Sequence, residues 1–199
     1  MPEKYRKHFI PLESNPDVFN ELLRALGVSE EVTFEDVFTL DDPDLLLRPA
    51  LAAILPVIWF RQTINNACGL YAVLHALSNG QSRRFIKCIP VGPEERARIL
   101  EDSTELEEAY AAVARKGDSA VPENAEDEVD YHYICFVPSA QNGQLYELDG
   151  DCKGPTLRAF NIGADGAVLG PEGIAAIKTY VCEGQGNIGF NLMALVRRS

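Results

Sequence analysis

Apolar residues at helical spacing mark the first element of the chain. They recur every three to four residues between Asn15-Pro16 and Gly27. Asparagine followed by proline is favoured at a helix start, and glycine is favoured directly after a helix end. The pattern therefore predicts a helix over 16–26 with one apolar face.

Two further stretches have the same spacing. The apolar stripe over 66–77 predicts a helix with Asn66 as its N-cap and Asn79 near its end. The stretch over 93–116 predicts a helix with a break near Ser103.

Strand-forming residues occupy much of the rest. Predicted strands cover 34–40, 51–55, 57–60, 131–137, 144–148 and 190–196, and a short helix is predicted over 174–180. Residues 131–137 and 144–148 flank a turn, so they form a predicted antiparallel hairpin.

Segment 117–130 (GDSAVPENAEDEVD) breaks these patterns, with six acidic residues and almost no apolar ones. Such a segment buries too little apolar surface to offset its ordering entropy, so we expect it to be mobile. A loop of this length is either a solvated linker or a functional lid.

Length and charge narrow the class of protein. With 199 residues and 46% hydrophobic residues, the chain suits one globular domain over 1–199. A net charge of −12 disfavours nucleic acid as a partner. The longest apolar run, 50–60, is too short to span a bilayer, and the N-terminus lacks the apolar core of a signal peptide. We therefore expect a soluble intracellular protein.

The five cysteines do not form a disulfide or zinc pattern. They are odd in number and scattered, without a CxxC pair, and only three histidines accompany them. We expect no metal and no cofactor. Four are expected to be small buried residues: Cys88, Cys135, Cys152 and Cys182.

Cys68 differs from the others because it lies in the first turn of the predicted second helix. The helix dipole and the unpaired N–H groups at this end stabilise a thiolate. The N–H of Cys68 is itself available to bind an oxyanion. A buried structural cysteine is the alternative on position alone.

A thiolate nucleophile needs a base, and the three histidines are unequal candidates. His75 lies seven residues along the same helix, about 10.5 Å from Cys68, which is beyond hydrogen-bond reach. His8 has no evident orienting partner in its segment. His132 remains.

The hairpin supplies a partner for His132. If Pro138 pairs with Gly143 across a four-residue loop, His132 lies opposite Asp149, about 5 Å away on the same face. Asp149 can then accept the Nδ1 proton and orient the ring. A shift of the hairpin register by one residue would place His132 and Asp149 on opposite faces.

Two blocks of sequence resemble one enzyme family. Residues 62–69 (QTINNACG), continued by VLHALS at 73–78, resemble the active-site motif of the ubiquitin C-terminal hydrolases, which are papain-like cysteine proteases. Residues 131–137 (YHYICFV) and 145–150 (LYELDG) resemble the family's histidine and aspartate strands. The segments 10–16 and 190–195 resemble its termini.

The resemblance implies a site and a fold. It makes Cys68 the nucleophile, His132 the general base and acid, Asp149 the residue that orients His132, and Gln62 an oxyanion donor. It makes 117–130 the crossover loop that substrates must thread. The implied fold is α+β, a central antiparallel sheet flanked by helices on both sides, as in a papain-like α-β-α sandwich, and it is knotted in the family.

The implied activity is a cysteine-type deubiquitinase. It would cleave esters, thioesters and peptide or isopeptide bonds after the C-terminal glycine of ubiquitin, with small or unfolded leaving groups. We expect a monomer in the cytoplasm, and also in the nucleus, with ubiquitin as partner and neither nucleic acid nor membrane. The alternatives are an inactive ubiquitin-binding module and a papain-like hydrolase acting on another ubiquitin-like modifier.

Two features depart from the family pattern. The stretch between Pro56 and Val57 is shorter than expected, either by natural loop variation or by engineering, and the crossover region is also slightly short. Neither affects a matched site residue, but the second bears on the substrate size limit.

Overall fold

The structure is a computed structural model and describes residues 5–42, 57–79, 90–127, 129–139, 141–162, 168–183 and 189–198. These ranges contain five helices: α1 (Pro16–Ala25), α2 (Cys68–Asn79), α3 (Pro93–Asp102), α4 (Thr104–Ala111) and α5 (Pro171–Glu183). They contain seven strands: β1 (Lys7–His8), β2 (Val32–Asp36), β3 (Ile64–Asn65), β4 (Cys135–Ser139), β5 (Gln144–Leu148), β6 (Thr156–Ala159) and β7 (Met193–Arg197).

The helix α1 follows its sequence pattern closely. The side chain of Asn15 caps the helix by accepting from the N–H of Asp17 at 2.9 Å. Gly27 after the helix has a positive φ of 75°, which glycine adopts without strain. Both predicted ends are confirmed.

The predicted break near Ser103 is also confirmed. Ser103 separates α3 from α4, and its hydroxyl caps α4 by accepting from the N–H of Leu106 at 3.1 Å. The helix α4 ends at Ala111, earlier than the predicted end near residue 116, and turns follow it.

The strands form three hydrogen-bonded groups within the described ranges. β1 pairs with β3 in parallel, β2 pairs with β7 antiparallel, and β4, β5 and β6 form an antiparallel three-stranded sheet. The helix α2 contacts β4, while α5 contacts β6. This mixture of helices and mostly antiparallel strands confirms the α+β class.

Residues 57–60 are not a strand, contrary to prediction. Their backbone is held by side chains of α2 instead: Asn79 exchanges two hydrogen bonds of 2.7 Å with the N–H and C=O of Ile58, and His75 Nε2 accepts from the N–H of Phe60 at 3.0 Å. An amide side chain can replace a strand partner in this way because it carries both a donor and an acceptor. The predicted strand over 51–55 lies outside the described residues.

The hairpin forms, but its predicted register is wrong by two positions. Ser139, not Pro138, closes the loop, opposite Gln144. Gly143 has a φ of 65° and donates to the carbonyl of Ser139 at 2.8 Å, so it belongs to the turn rather than to the strand. Since side chains alternate with a period of two, this shift leaves each residue on its predicted face.

Several other predicted boundaries also differ from the observed ones. β4 begins at Cys135, four residues after the predicted start, so His132 precedes the strand. β2 begins before its predicted start, β7 begins after it, and α5 is longer than predicted.

The main hydrophobic core joins the N-terminal half of the chain. It packs the apolar faces of α1, α2, α3 and α4 together with β2, and α2 contributes its buried side chains on nearly every turn. Because α2 is buried in this core, the start of the helix is fixed relative to the rest of the fold.

Candidate active site

Cys68 is the first residue of α2, and it is 5% exposed. The N–H of Tyr71 donates to the carbonyl of Ala67 at 3.0 Å, which makes Ala67 the residue that caps the helix. The N–H of Cys68 is therefore among the first-turn donors that lack an intrahelical partner. The thiol and this N–H lie together at the positive end of the helix dipole.

Asn66 is not the N-cap, and this prediction is wrong. It has a φ of 57°, the left-handed region that asparagine tolerates better than most residues. This conformation turns the chain from β3 into α2. Its side chain donates to the carbonyls of Ala125 and Asp127 at 3.0 and 2.8 Å.

The structure brings His132 and Asp149 into contact. His132 Nε2 lies 2.8 Å from Asp149 Oδ1. The sequence predicts that His132 contacts Asp149 through Nδ1, and this is wrong. His132 precedes β4, and its ring presents Nε2 to the carboxylate. Nδ1 lies on the other side of the ring, 4.0 Å from Asp151 Oδ2.

Two neighbours keep His132 protonated. Hydrogen bonds to the Asp149 carboxylate and to the Cys68 thiol outweigh partial burial and raise the pKa of His132 to about 10. For Asp149, burial acts to raise the pKa, but hydrogen bonds from His132 and from the Asp151 N–H outweigh it and lower the pKa. Since Asp149 occupies Nε2, the ring nitrogen that can serve Cys68 is Nδ1.

The backbone around Asp149 is held from the opposite side. The indole N–H of Trp59 donates to the carbonyl of Asp149 at 2.7 Å, and the N–H of Gln62 donates to the carbonyl of Gly150 at 2.8 Å. A Cβ on Gly150 would lie 2.7 Å from the Cβ of Gln62, so only glycine fits this approach. The sequence did not reveal Trp59 or Gly150 as supports, because these contacts cross about 90 positions of the chain.

Gln62 lies between the elements that carry Cys68 and Asp149. Beside it, the N–H of Thr63 donates to the hydroxyl of Tyr71 in α2 at 3.1 Å. The side chain of Gln62 is 9% exposed, and its oxygen is buried without a hydrogen-bond partner among the described residues. This unpaired atom is an acceptor, so the oxyanion donor that the resemblance assigns to Gln62 is the N–H end of the same amide.

The other two histidines lie away from this arrangement. His75 is 1% exposed, and burial lowers its pKa to about 3, so it is a neutral core residue as predicted. His8 has a partner, contrary to expectation: its Nδ1 lies 3.1 Å from the Asn65 amide across the β1–β3 pair.

The cysteines are free where the structure describes them. Burial raises the pKa of Cys135 to about 12, which matches a structural thiol. Cys152 and Cys182 are exposed, so their predicted burial is wrong. Cys152 lies in the turn after Asp149 and Cys182 near the end of α5, and both places face solvent. Cys88 lies outside the described residues.

Only one trio of potential metal ligands occurs in the described ranges. His132, Asp149 and Asp151 place ligand atoms within 4.8 Å of one another. The first two are already hydrogen-bonded to each other. In the same ranges, no helix combines the length and apolarity needed to cross a membrane.

Residues 117–127 and 129–130 of the acidic segment lack regular secondary structure, and the segment is held at two points among them. Near its start, the Glu13 carboxylate accepts from the N–H of Ser119 at 2.6 Å. In its middle, Asn66 binds the carbonyls of Ala125 and Asp127. Its mobility stays a prediction.

Comparisons with known sequences point to one family. The sequence model described as ubiquitin carboxyl-terminal hydrolase, family 1, matches residues 9–56 and 55–165. Ubiquitin carboxyl-terminal hydrolase 3 of Arabidopsis thaliana is 31% identical over 233 aligned positions, which cover 97% of this chain and 96% of that protein. A ubiquitin carboxyl-terminal hydrolase of Aplysia californica is 34% identical, covering 76% of this chain and 86% of that protein.

A solved structure shows the same fold. The UCH37 catalytic domain of Trichinella spiralis, in a complex with ubiquitin vinyl methyl ester, superposes with a TM-score of 0.75 over 99% of both chains at 21% identity. The two matched ranges of the family model meet at residues 55–56, and the Arabidopsis alignment is longer than the 199-residue chain. The shortening at 56–57 stays a prediction.

Proposed function

Because the chain belongs to family 1 of the ubiquitin carboxyl-terminal hydrolases, we propose that it hydrolyses esters, thioesters and peptide or isopeptide bonds after the C-terminal glycine of ubiquitin. The observation that carries this proposal is the position of His132. Its ring is hydrogen-bonded to the Asp149 carboxylate, and it is near enough to the Cys68 thiol at the start of α2 for that thiol to help raise its pKa. This is the arrangement that nucleophilic cysteine catalysis requires.

Acylation begins from a resting pair in which His132 carries a proton on Nδ1 and the Cys68 sulfur is a thiolate. The thiolate attacks the carbonyl of the C-terminal glycine, and the carbonyl electron pair moves to oxygen. The Cys68 N–H and the Gln62 amide N–H donate to this oxyanion, an interaction worth roughly 3 kcal/mol per donor in other hydrolases. The tetrahedral intermediate then collapses to a thioester, while His132 protonates the leaving amine or alcohol.

Deacylation uses the same residues in reverse. His132 removes a proton from water, the resulting hydroxide attacks the thioester carbonyl, and the Cys68 thiolate leaves. The proton on His132 re-forms the resting pair, and ubiquitin departs with a free carboxylate. Asp149 keeps its hydrogen bond to Nε2 throughout and so holds the ring with Nδ1 towards the sulfur.

Labelling by a mechanism-based probe tests the proposal. Ubiquitin with an electrophile at its C-terminus should add once to the wild-type protein, as measured by intact mass spectrometry. The variant Cys68→Ala should not react, whereas Cys182→Ala, which removes an exposed thiol on α5, should react like the wild type. Equal labelling of Cys68→Ala would refute the assignment of the nucleophile.

Two alternatives make different predictions in the same assay. An inactive ubiquitin-binding module would bind ubiquitin without reacting. A hydrolase of another ubiquitin-like modifier would react with that modifier's probe and not with the ubiquitin probe. The solved relatives that contain ubiquitin vinyl methyl ester support ubiquitin over both.

The setting of the reaction belongs to the same proposal. The chain acts as a monomer in the cytoplasm, and also in the nucleus, without nucleic acid or membrane as partner. Its net charge of −12 supports the first of these absences, since it repels phosphate. Sedimentation velocity tests the monomer, and imaging of the tagged protein tests the location.

A further inference from the structure

Asn66 combines two features that the mechanism above does not use. It lies two residues before Cys68 and is the described non-glycine residue with a positive φ, 57°. It is also 9% exposed, and its side-chain amide donates to two backbone carbonyls at 3.0 and 2.8 Å. A nearly buried amide with two good hydrogen bonds fixes its partners in place.

The partners of Asn66 lie in the acidic loop 117–130. The N–H of Asn124 donates to the Asp127 carboxylate at 3.2 Å, and the N–H of Asp127 donates to the carbonyl of Asn124 at 3.2 Å. These bonds form a small turn, and Asn66 binds the carbonyls of Ala125 and Asp127 within it. The loop has little apolar surface to hold it, so these polar contacts help to attach it at this point.

The attachment links the loop to the start of α2. Asn66 is joined to Cys68 by one residue, and 117–130 leads directly into His132. After α4, the loop accepts two hydrogen bonds from the side chain of Asn66, and it then continues through Tyr131 to His132. Because the resemblance makes 117–130 the loop that substrates thread, a large leaving group at Cys68 would have to displace the part of the loop that Asn66 holds.

We propose that Asn66 is a positioning residue that fastens loop 117–130 beside Cys68, and that this fastening sets how large a leaving group the site accepts. The size limit rests on the proposed function, whereas the fastening of the loop does not.

Two substitutions separate the side chain from the backbone conformation. Asn66→Asp keeps the shape and the tolerance of positive φ but replaces the donor with a carboxylate that repels the two carbonyls. Asn66→Gly keeps the backbone conformation and removes the side chain without adding charge. The matched control is Asn20→Asp in α1, which also loses an amide hydrogen bond to a backbone carbonyl, that of Phe34 at 3.0 Å, away from the loop.

Limited proteolysis measures the fastening without any substrate. Glu123 directly precedes the turn that Asn66 binds, Glu126 lies within it, and both are exposed. A protease specific for glutamate should cut at these residues about tenfold faster in both Asn66 variants. Loss of two hydrogen bonds to uncharged groups lowers the ratio of attached to detached loop by about tenfold or more. The rate in Asn20→Asp should stay at the wild-type value. An unchanged rate in both Asn66 variants overturns the fastening.

The ratio of two substrates measures the size limit. For each variant, kcat/KM is determined with ubiquitin carrying a small fluorogenic amide and with ubiquitin fused to a folded protein. We expect the ratio of fused to small substrate to rise about tenfold in both Asn66 variants and to stay constant in Asn20→Asp. A purely structural role would lower both values together and leave the ratio unchanged, which would overturn the size limit.

The two readouts keep the proposals distinct. If the wild type does not act on ubiquitin at all, the proposed function fails, and the proteolysis result still decides whether Asn66 fastens the loop. If proteolysis accelerates while the substrate ratio stays constant, the loop is fastened by Asn66 but does not set the size limit.

Discussion

A single hydrogen bond decides which atom of His132 can act on Cys68. Asp149 holds Nε2 at 2.8 Å, so Nδ1 is left for the thiol. The same bond is the largest cause of the raised pKa of His132, about 10. Orientation and protonation of the base thus depend on the same carboxylate.

Replacing this carboxylate should change the pH profile. His132 must carry a proton to release the leaving group, and its raised pKa keeps the proton bound up to a pH near 10. Asn in place of Asp149 removes the largest cause of the raised pKa, so the alkaline limb of kcat/KM should move to lower pH in Asp149→Asn. The profile is measured with a fluorogenic ubiquitin amide.

Asp151→Asn is the control for this shift. Its carboxylate lies 4.0 Å from Nδ1 of the same ring and is not the hydrogen-bond partner of Nε2. The alkaline limb should move less in this variant. An equal shift in both variants would show that general charge, and not the Asp149 hydrogen bond, determines the pKa.

Gly150 allows Gln62 to lie against the backbone that carries Asp149. In Gly150→Ala the new Cβ would meet the Cβ of Gln62 at 2.7 Å and its backbone nitrogen at 3.2 Å. Gln62 must then move, and a shift of about 1 Å in a catalytic group can cost about a hundredfold in rate. We expect kcat to fall at least about tenfold.

Gly154→Ala serves as the control for Gly150→Ala. No atom lies within 4 Å of a Cβ at Gly154, so this variant should keep wild-type kcat. Wild-type kcat in Gly150→Ala as well would mean that the position of Gln62 does not matter for turnover.

Prediction from sequence was uneven at the residue scale. The contact between His132 and Asp149 is predicted correctly although the register is wrong by two positions, because both residues lie just beyond the same end of the hairpin. The nitrogen involved was missed because ring orientation depends on tertiary contacts. Asn66 was mistaken for a cap because its amide has its partners about 60 residues away, in a segment whose approach no local pattern reveals.

Asn79 supports the segment before the active site at the scale of elements. It exchanges two hydrogen bonds with Ile58 and donates a third to the carbonyl of His75 at 2.8 Å. This side chain aligns residues 57–60 along α2. Trp59 in that segment then reaches the carbonyl of Asp149.

Removing the Asn79 amide should therefore destabilise the fold. At about 1 kcal/mol per buried hydrogen bond, with two backbone groups of Ile58 left unpaired, Asn79→Ala should lower the free energy of unfolding by about 3 kcal/mol. Urea denaturation measures this. Asn142→Ala, which removes an exposed amide in the hairpin turn, should cost much less, and equal losses would contradict the supporting role of Asn79.

Helices were easier to predict than strands for a physical reason. Caps such as Asn15 and Ser103 act within three residues, so the sequence contains both partners. Strand limits depend on partners far along the chain. Residues 57–60 are rich in strand formers, yet their partner is a helix side chain, and nothing local to them indicates this.

The charge of the whole molecule has two interpretations. A net charge of −12 attracts a basic ligand over a long range, and ubiquitin, the proposed substrate, would present such a basic tail and binding face. The same charge also keeps a protein soluble without any role in binding.

Salt separates these two interpretations. The screening length falls from about 30 Å at about 0.01 M salt to about 3 Å at about 1 M. If attraction steers ubiquitin, its association rate should fall about tenfold over this range in stopped-flow measurements. Reaction of Cys68 with a small uncharged alkylating agent is the control and should change little. A salt-independent association rate would leave only solubility as the role of the charge.

The architecture of the whole molecule came from the resemblance rather than from local patterns. Periodicity alone indicated helices and a hairpin, but motifs at Gln62 to Gly69 and around His132 identified the family, and the comparisons confirm it. The family's knot and the reason for the short junction at 56–57 stay predictions, since residues 43–56 lie outside the described ranges.

Turnover of a fluorogenic ubiquitin C-terminal amide tests the central claim most directly. The wild type and Cys182→Ala should both release the fluorophore, and Cys68→Ala should be slower by at least about a thousandfold, as for loss of a nucleophile in other hydrolases. Substantial turnover by Cys68→Ala, or none by the wild type, would contradict the account of Cys68 as the nucleophile of a ubiquitin hydrolase.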